Sequence, residues 1–235
     1  MKNLILTVST LALLISCTGE TKNTMTVTGN VKGLKKGTLY LQYIPDTVLV
    51  TLDSLKVDGD GNFTFKTELE SPEIFYLYLK KKDNNDINDR ITFFGEPGTI
   101  IINTSWNTFD IGATIEGSRS QKKLEEYNKV ISGFSKKNLE FIQARYDEKY
   151  RSDSLAVDSI EKLSDQNARR EYMYSLNFAM NNPDSYVAPY VALGNSRNIN
   201  VKFLDSVYQK LDPDVARSKY GKALKKYMEE TRAAK

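Results

Sequence analysis

The spacing of apolar residues changes near Gly117-Ser118, and this change constrains the fold more than any other feature of the 235-residue chain. From residue 25 to about residue 115, apolar and polar residues alternate with a period near two, as in half-buried strands. Beyond Ser118 the period shifts towards 3.6, with Leu124, Tyr127 and Ile131 at helical spacing. A run of strands followed by a run of helices predicts an α+β fold with the two kinds of element segregated along the chain.

The first half contains seven or eight short segments rich in strand-forming residues and separated by turn residues. This number and spacing favour an antiparallel β-sandwich or small barrel over residues 25–117. Residues 80–89 are charged and polar, and they predict a solvated loop. The strands are expected at residues 25–31, 38–43, 48–57, 63–66, 74–79, 91–94, 99–103 and 113–115.

The segment Asp58-Gly59-Asp60-Gly61-Asn62 predicts a tight turn, because Asp-Gly and Gly-Asn pairs supply the positive φ angles that such turns require. We expect it to join the strands on either side as a hairpin. The same residues resemble the start of a calcium-binding loop. Such a loop needs glycine at its sixth position and glutamate at its twelfth, where this chain has Phe63 and Leu69, so the calcium interpretation is rejected.

The second half predicts a helical region over residues 118–235. Ser118 or Ser120 is a suitable N-cap for the first helix, and Asp153 lies in a segment that suits a break and a second cap. Pro183 ends the second helix, since proline cannot continue one. The helices are expected at about residues 118–146, 155–180, 186–193, 200–211 and 223–232.

The N-terminus predicts a lipid anchor. Lys2 precedes a short apolar run, and Leu14-Ile15-Ser16-Cys17 resembles a bacterial lipobox, in which the cysteine is acylated and becomes the first mature residue. Residues 1–16 are then a lipoprotein signal peptide and residues 17–24 a polar tether. The alternative is an ordinary signal peptide that leaves Cys17 as a free thiol. We expect the protein in the cell envelope, on the periplasmic face of the outer membrane.

The amino-acid composition excludes several kinds of catalytic site. The chain has no histidine and a single cysteine, so His-based catalysis and Cys-His arrangements are absent. A net charge of +3, with both signs intermixed, gives no sign of a nucleic-acid partner. Carboxylate catalysis stays open, although 30 acidic residues single out no pair. Tyr76, Tyr78 and Trp106 are candidates for a sugar or peptide groove, with core or edge packing as the alternative.

The strands and turns of the first half resemble those of the domain of unknown function numbered 4369. Each segment is only a strand-and-turn pattern, but their order and spacing together match this family over about residues 25–117. The matching segments are residues 29–41, 53–65, 93–100 and 116–118.

Members of this family resemble N-terminal domains of Gram-negative envelope lipoproteins. Many continue through a helical segment into a thioredoxin-like thiol–disulfide oxidoreductase domain of the AhpC/TSA type. The helical segment here is similar through Asn182-Pro183-Asp184-Ser185 and Ser218-Lys219-Tyr220-Gly221. The Cys-x-x-Cys of the longer proteins comes later, whereas this sequence ends at Lys235. The resemblance therefore gives no residue here an oxidoreductase role.

Together these features predict a non-catalytic envelope lipoprotein that acts as a membrane-tethered binding or interaction module for an envelope protein or a glycan. The alternative, which only the resemblance implies, is an accessory protein in periplasmic thiol–disulfide homeostasis. A carboxylate-based hydrolase is a third hypothesis. Cys17 is the one predicted site residue, as the point of lipid attachment, and we predict no catalytic, cofactor-binding or metal-binding residues.

Overall fold

A computed structural model describes residues 23–81, 89–151, 153–198 and 200–234. The predictions for Cys17, for the signal peptide and for tether residues 17–22 lie outside the described residues, as does most of the predicted loop at 80–89. The last two tether residues are described: Asn23 accepts a hydrogen bond from the Leu69 N–H at 2.9 Å, and Thr24 begins the first strand.

The described part of the first half contains eight strands, close to the predicted positions. Apolar residues alternate with polar ones in most of them, as a sheet with one buried face requires. The strands are β1 (Thr24–Lys32), β2 (Lys36–Tyr43), β3 (Val50–Asp58), β4 (Asn62–Glu68), β5 (Glu73–Lys81), β6 (Asp89–Gly95), β7 (Gly98–Ser105) and β8 (Thr114–Glu116).

The strands form a sandwich of two four-stranded sheets that does not close into a barrel, which confirms the first of the two predicted architectures. The first sheet has the order β4-β1-β7-β8 and the second β3-β2-β5-β6. One pair departs from the predicted antiparallel arrangement: β1 and β7 are parallel, from Met25 opposite Gly98 to Lys32 opposite Ser105. The chain builds the second sheet before β7 returns beside β1, so a crossover rather than a hairpin connects this pair.

The Asp58–Asn62 turn is tight, as predicted, but the predicted hairpin is wrong. β3 belongs to the second sheet and β4 to the first, so the turn carries the chain between the sheets. Its backbone pairs instead with the end of β1, where the Val31 N–H donates to the Gly61 carbonyl at 2.9 Å. A Cβ on Gly61 would lie 2.0 Å from the Val31 carbonyl oxygen, so this close approach requires glycine.

The sandwich core lies between the two sheets. Alternate residues of facing strands fill it, and most of its largest side chains are fully buried. The burial of each such side chain contributes about 1.5–3 kcal/mol relative to leaving it exposed. The largest are Met25, Phe65, Phe75, Phe93, Ile100, Ile102 and Phe109.

The described part of the second half is helical. Ser118 is the N-cap of the first helix and Asp153 of the third, which confirms both predicted caps. The α-helices are α1 (Arg119–Tyr146), α2 (Glu148–Arg151), α3 (Ser154–Asn181), α4 (Val187–Gly194), α5 (Val201–Lys210), α6 (Pro213–Arg217) and α7 (Lys219–Ala233), with a 3₁₀ helix at Ser196–Asn198.

The sequence prediction missed the short helices α2 and α6 and began α7 four residues late. In the sequence, Asp212-Pro213 predicts the end of the helix expected at residues 200–211. In the structure Pro213 occupies the first turn of α6, where its missing N–H leaves no helical hydrogen bond unmade. Helices of four or five residues are too short for a 3.6-residue period to become visible. None of the described helices has the length and hydrophobicity of a membrane span.

The helices cover part of the outer face of the second sheet. Ile74 of β5 and Phe94 of β6 pack there against Leu124, Phe178 and Val191. A separate helical core joins the end of α3 to α4, α5, α6 and α7. The distal parts of α1 and α3, residues 128–146 and 154–166, contain no buried residue, and we call this pair the helical arm.

The helical spacing of residues 155–180 predicts Ile160, Leu163, Tyr172, Leu176 and Ala179 on the inner face of α3, and the structure corrects one of them. Leu176 and Ala179 are buried as predicted, whereas Leu163 is 48% exposed. Leu163 lies in the arm, where two helices alone cannot enclose each other's apolar residues.

Candidate functional site at the junction of sandwich and helices

The N-terminus of α7 contacts the start of β5 through an ion pair. Lys219 Nζ donates to the Glu73 carboxylate and to the Ile44 carbonyl oxygen, and it lies over the Tyr43 and Tyr220 rings. The two side chains are only 24% and 10% exposed. Burial raises the pKa of Glu73, while the hydrogen bond and the charge of Lys219 oppose that rise. The pair therefore fixes α7 to the sheet but carries a desolvation cost.

Tyr220, the next residue, completes this contact. Its hydroxyl oxygen accepts a hydrogen bond from the Ile74 N–H at 3.1 Å, and its ring lies 5.0 Å from the Tyr190 ring and 6.1 Å from the Phe94 ring. Burial raises the Tyr220 pKa far above its ordinary value, so the hydroxyl stays neutral. A neutral, buried hydroxyl that pairs a strand N–H is a structural group.

The N-terminus of α1 covers the outer edge of β6. The Gln121 side-chain oxygen accepts a hydrogen bond from the Phe94 N–H at 2.8 Å, and the Ser118 hydroxyl donates to the Phe94 carbonyl at 2.9 Å. Ser118 Oγ also accepts the helix-capping bond from the Gln121 N–H at 2.9 Å. These bonds occupy backbone groups that an edge strand would otherwise expose. The junction is thus fixed at both β5 and β6.

Glu96 follows β6 and fills the anion-binding position at the α1 N-terminus. Its carboxylate accepts hydrogen bonds from the Arg119 N–H, from the Ser120 N–H at 3.2 Å and from the Ser120 hydroxyl at 2.5 Å. A helix N-terminus favours such a negative charge. Because the chain's own carboxylate occupies it, this position is not free for a ligand anion.

Two adjoining clefts of about 280 and 200 Å³ run along the junction and share Glu96 and Tyr186. We call them together the junction groove. Burial raises the Tyr186 pKa, and the nearby carboxylates of Asp214 and Glu96 raise it further. The other lining residues are Asn23, Leu69, Glu70, Ser71, Pro72 and Pro97 from the sandwich side and Arg119, Ser120, Lys123, Asp184 and Ser185 from the helical side.

The junction groove offers hydroxyls, proline rings and charges of both signs. Its Glu96 carboxylate already accepts three hydrogen bonds from the N-terminus of α1. In the described part of the chain, no group of three or more acidic or cysteine side chains lies close enough to hold a metal ion. The carboxyl with the clearest upward pKa shift, Glu73, lies outside the groove and pairs with Lys219.

The three aromatic candidates from the sequence do not form one site. Tyr76 and Tyr78 lie on the outer face of the second sheet, where the Arg90 guanidinium lies 5.4 and 5.6 Å from their ring centroids. Trp106 follows β7 and is 45% exposed; its ring covers Gly33, and Lys81 Nζ lies 5.7 Å from its centroid. The structure therefore groups the two tyrosines and leaves Trp106 apart.

Sequence reasoning singled out the segment Ser218-Lys219-Tyr220-Gly221 only through family resemblance. The structure gives each member a structural role. Ser218 caps α7, Lys219 and Tyr220 contact β5, and a Cβ on Gly221 would lie 2.4 Å from the Ala216 carbonyl oxygen. Nothing in the local pattern reveals these contacts, because the partners lie about 146 residues away along the chain.

A family model for a domain of unknown function, DUF4369, matches residues 25–124. The match spans all eight strands and the start of α1, including Ser118 and Gln121 that cover β6. No curated protein and no solved structure shows a significant match to this chain. The predicted resemblance is thus confirmed over the sandwich, and residues 25–124 are identified as a DUF4369 domain.

Proposed function

We propose that the protein is a non-catalytic, lipid-anchored envelope protein that presents a binding surface close to a membrane. The observation that supports this proposal is the set of contacts that fixes the helices to the second sheet. Lys219 with Glu73, Tyr220 with Ile74, and α1 with Phe94 join the two halves into one preformed body. A preformed surface lowers the entropic cost of binding a partner.

The position of the junction groove supports a role near the membrane. Asn23 lines the groove and lies six positions after the proposed lipid site at Cys17. A six-residue chain spans at most about 20 Å when fully extended. An anchor at Cys17 would therefore hold the groove within that distance of the lipid surface, on the periplasmic face of the outer membrane. The partner would be an envelope protein or a glycan.

The anchor can be tested separately from binding. We expect the full chain to incorporate radiolabelled palmitate and to fractionate with membranes, and we expect Cys17→Ser to lose both properties because it removes the acylated thiol. A Thr21→Ser variant serves as the control, since it lies in the predicted tether outside the Leu14-Ile15-Ser16-Cys17 segment and keeps the cysteine. Labelling that persists in Cys17→Ser would contradict the proposal.

Binding can be tested by photo-crosslinking in cells. A photoreactive residue at Arg119, which lines the groove with its side chain 87% exposed, should capture a specific envelope component. The same residue at Ile111, which is 88% exposed and outside the groove, is the matched control. Equal capture at both positions, or none at either, would count against a binding role for the groove. The accessory role in thiol–disulfide homeostasis stays a prediction from resemblance.

A further inference from the structure

The part of the second sheet's outer face beyond the helices carries tyrosines and basic residues. We call it the open face. The helical contact includes Ile74 and Phe94 and reaches Tyr76 at its border, whereas Tyr40 and Tyr78 lie outside it. Tyr40 and Tyr78 are half-buried. This surface is separate from the junction groove, so what it binds is a separate question.

One row of the open face runs across all four strands. Ser54 of β3 is opposite Tyr40 of β2, Tyr40 is opposite Tyr78 of β5, and Tyr78 is opposite Arg90 of β6. The Tyr40 and Tyr78 rings stack with centroids 5.7 Å apart and an interplanar angle of 24°. Arg90 stacks next to Tyr78 and Tyr76. Rings and guanidinium thus form a continuous stack along the row.

The stack leaves an open ring face at one end. The residue opposite Tyr40 on β3 is Ser54, which is exposed and too small to cover the second face of the Tyr40 ring from the directly opposite position. Sugar rings present C–H groups that pack well on such aromatic faces, while their hydroxyls remain available for hydrogen bonds. The open end of the stack therefore suits a sugar ring.

The described side chains of the open face are mainly basic. Lys56, Lys80 and Arg90 are exposed beside the tyrosines, and among the described outward-facing residues of these strands the Asp58 carboxylate lies opposite Lys36 at the end of β2. Among the described residues, the Arg90 guanidinium has contacts with tyrosine rings but no carboxylate partner. A guanidinium that lies 5.4 and 5.6 Å from two ring centroids and has no described carboxylate partner can direct its N–H groups to a carboxylate, sulfate or phosphate of a ligand.

We propose that the open face binds an acidic oligosaccharide. One sugar ring stacks on the free face of Tyr40, and acidic groups of the chain pair with Lys56 at one end and Arg90 at the other. Three strand spacings separate Ser54 from Arg90, about 14 Å, so the site suits an oligosaccharide rather than one sugar. The near-neutral charge of the whole chain disfavours a nucleic acid, which basic and aromatic residues on a sheet would otherwise also suit.

This inference goes beyond the proposed function, because it assigns a ligand class to a second surface, and calorimetry on the full chain in detergent micelles tests it. The probe is a tetragalacturonate, and neutral maltotetraose and a single-stranded oligonucleotide are the comparisons. We expect tetragalacturonate alone to bind, with an affinity that falls as salt rises. Arg90→Gln and Tyr40→Leu should each lower that affinity about tenfold or more, as expected for the loss of a charge-assisted contact or a stacked ring.

The control is Arg145→Gln, an exposed arginine on the helical arm, which should bind as the unchanged chain does. Thermal unfolding midpoints of all variants show whether each one folds. The proposal is overturned if tetragalacturonate does not bind, if maltotetraose or the oligonucleotide binds as well, or if Arg90→Gln keeps full affinity. Specific crosslinking at Arg119 together with any of these results would leave the groove proposal standing and remove only this one.

Discussion

The outer face of the second sheet has two parts that differ in what covers them. Along β5 the outward residues are Ile74, Tyr76, Tyr78 and Lys80, and their exposure rises in that order from buried through half-buried to exposed. The helices cover the apolar end, and the polar end is the open face. A single strand thus marks where a structural contact stops and where a binding surface can begin.

This difference separates two kinds of aromatic residue that look alike in sequence. Tyr220 and Tyr78 are both half-buried and both contact other aromatic rings, but the Tyr220 hydroxyl accepts a hydrogen bond from a backbone N–H, whereas Tyr78 lies beside an exposed arginine. We expect substitutions in the covered part to change stability and substitutions in the open part to change binding. Substitutions in the two parts test this separation.

Phe94→Ala should have the largest effect. Phe94 is fully buried between the second sheet and the helices, so its truncation leaves a cavity and should lower the free energy of unfolding by about 3–5 kcal/mol. Chemical denaturation measures this change. Phe203→Ala is the matched control, because Phe203 is 51% exposed and should cost far less. If both variants lost the same free energy of unfolding, the contact between the second sheet and the helices would not be a hydrophobic core.

Lys219→Met should cost about 3 kcal/mol, because it leaves the Glu73 carboxylate buried without its cation. Glu73→Gln should cost much less, since burial already disfavours the charged form and Lys219 keeps the Ile44 carbonyl and two ring faces. Chemical denaturation of the two single variants and the double variant gives the interaction free energy between Lys219 and Glu73. The opposite order of losses would show that the carboxylate, rather than its cation, dominates the contact.

The same pair predicts a pH dependence. Burial raises the folded-state pKa of Glu73 above its ordinary value of 4.5, so this group's favourable contribution is complete below the unfolded pKa and is lost as pH rises through the folded pKa. Without Lys219 the folded pKa should rise further. The stability deficit of Lys219→Met should therefore shrink when the pH is lowered from 7 towards 4.5. If the stability deficit of Lys219→Met stayed constant between pH 7 and pH 4.5, protonation of Glu73 would not account for it.

Tyr220→Phe should have an intermediate effect of about 1–2 kcal/mol. The change keeps the ring contacts but leaves the Ile74 N–H without its acceptor in a buried place. Thermal and chemical unfolding both report this loss. A variant as stable as the unchanged chain would show that water replaces the hydroxyl and that the contact is not buried.

Leu155→Ser should have the smallest effect, within about 0.5 kcal/mol, because Leu155 is 75% exposed on the helical arm. The measurement is the denaturation midpoint. A large loss would mean that the arm packs against a partner copy or another protein in solution, and a concentration series would then reveal it.

The sequence predicted much of the fold because the deciding signals are local. The period of β5, the Ser118 cap and the Asp153 cap depend on neighbouring residues, and each was confirmed. The Asp58–Asn62 turn shows the limit: its residues determine a tight turn, but the sheet that receives β4 depends on contacts with Val31, some 30 residues earlier.

The candidate sites were predictable only in part, for the same reason. Tyr76 and Tyr78 were candidates because they are aromatic residues of the predicted sheet, whereas Tyr40 and Arg90 join them only through strand pairing across the sheet. Trp106 has the same chemistry but follows a strand of the other sheet. Residue type alone therefore suggests aromatic binding, and sheet order decides which aromatics act together.

One paired measurement tests the central claim that the two parts of this sheet face serve different purposes. Unfolding midpoint and tetragalacturonate affinity are determined for Tyr220→Phe and for Arg90→Gln. We predict that Tyr220→Phe lowers the midpoint and keeps the affinity, and that Arg90→Gln keeps the midpoint and loses about tenfold or more in affinity. The claim would be contradicted if Arg90→Gln unfolded as early as Tyr220→Phe, or if both variants bound the oligosaccharide equally well.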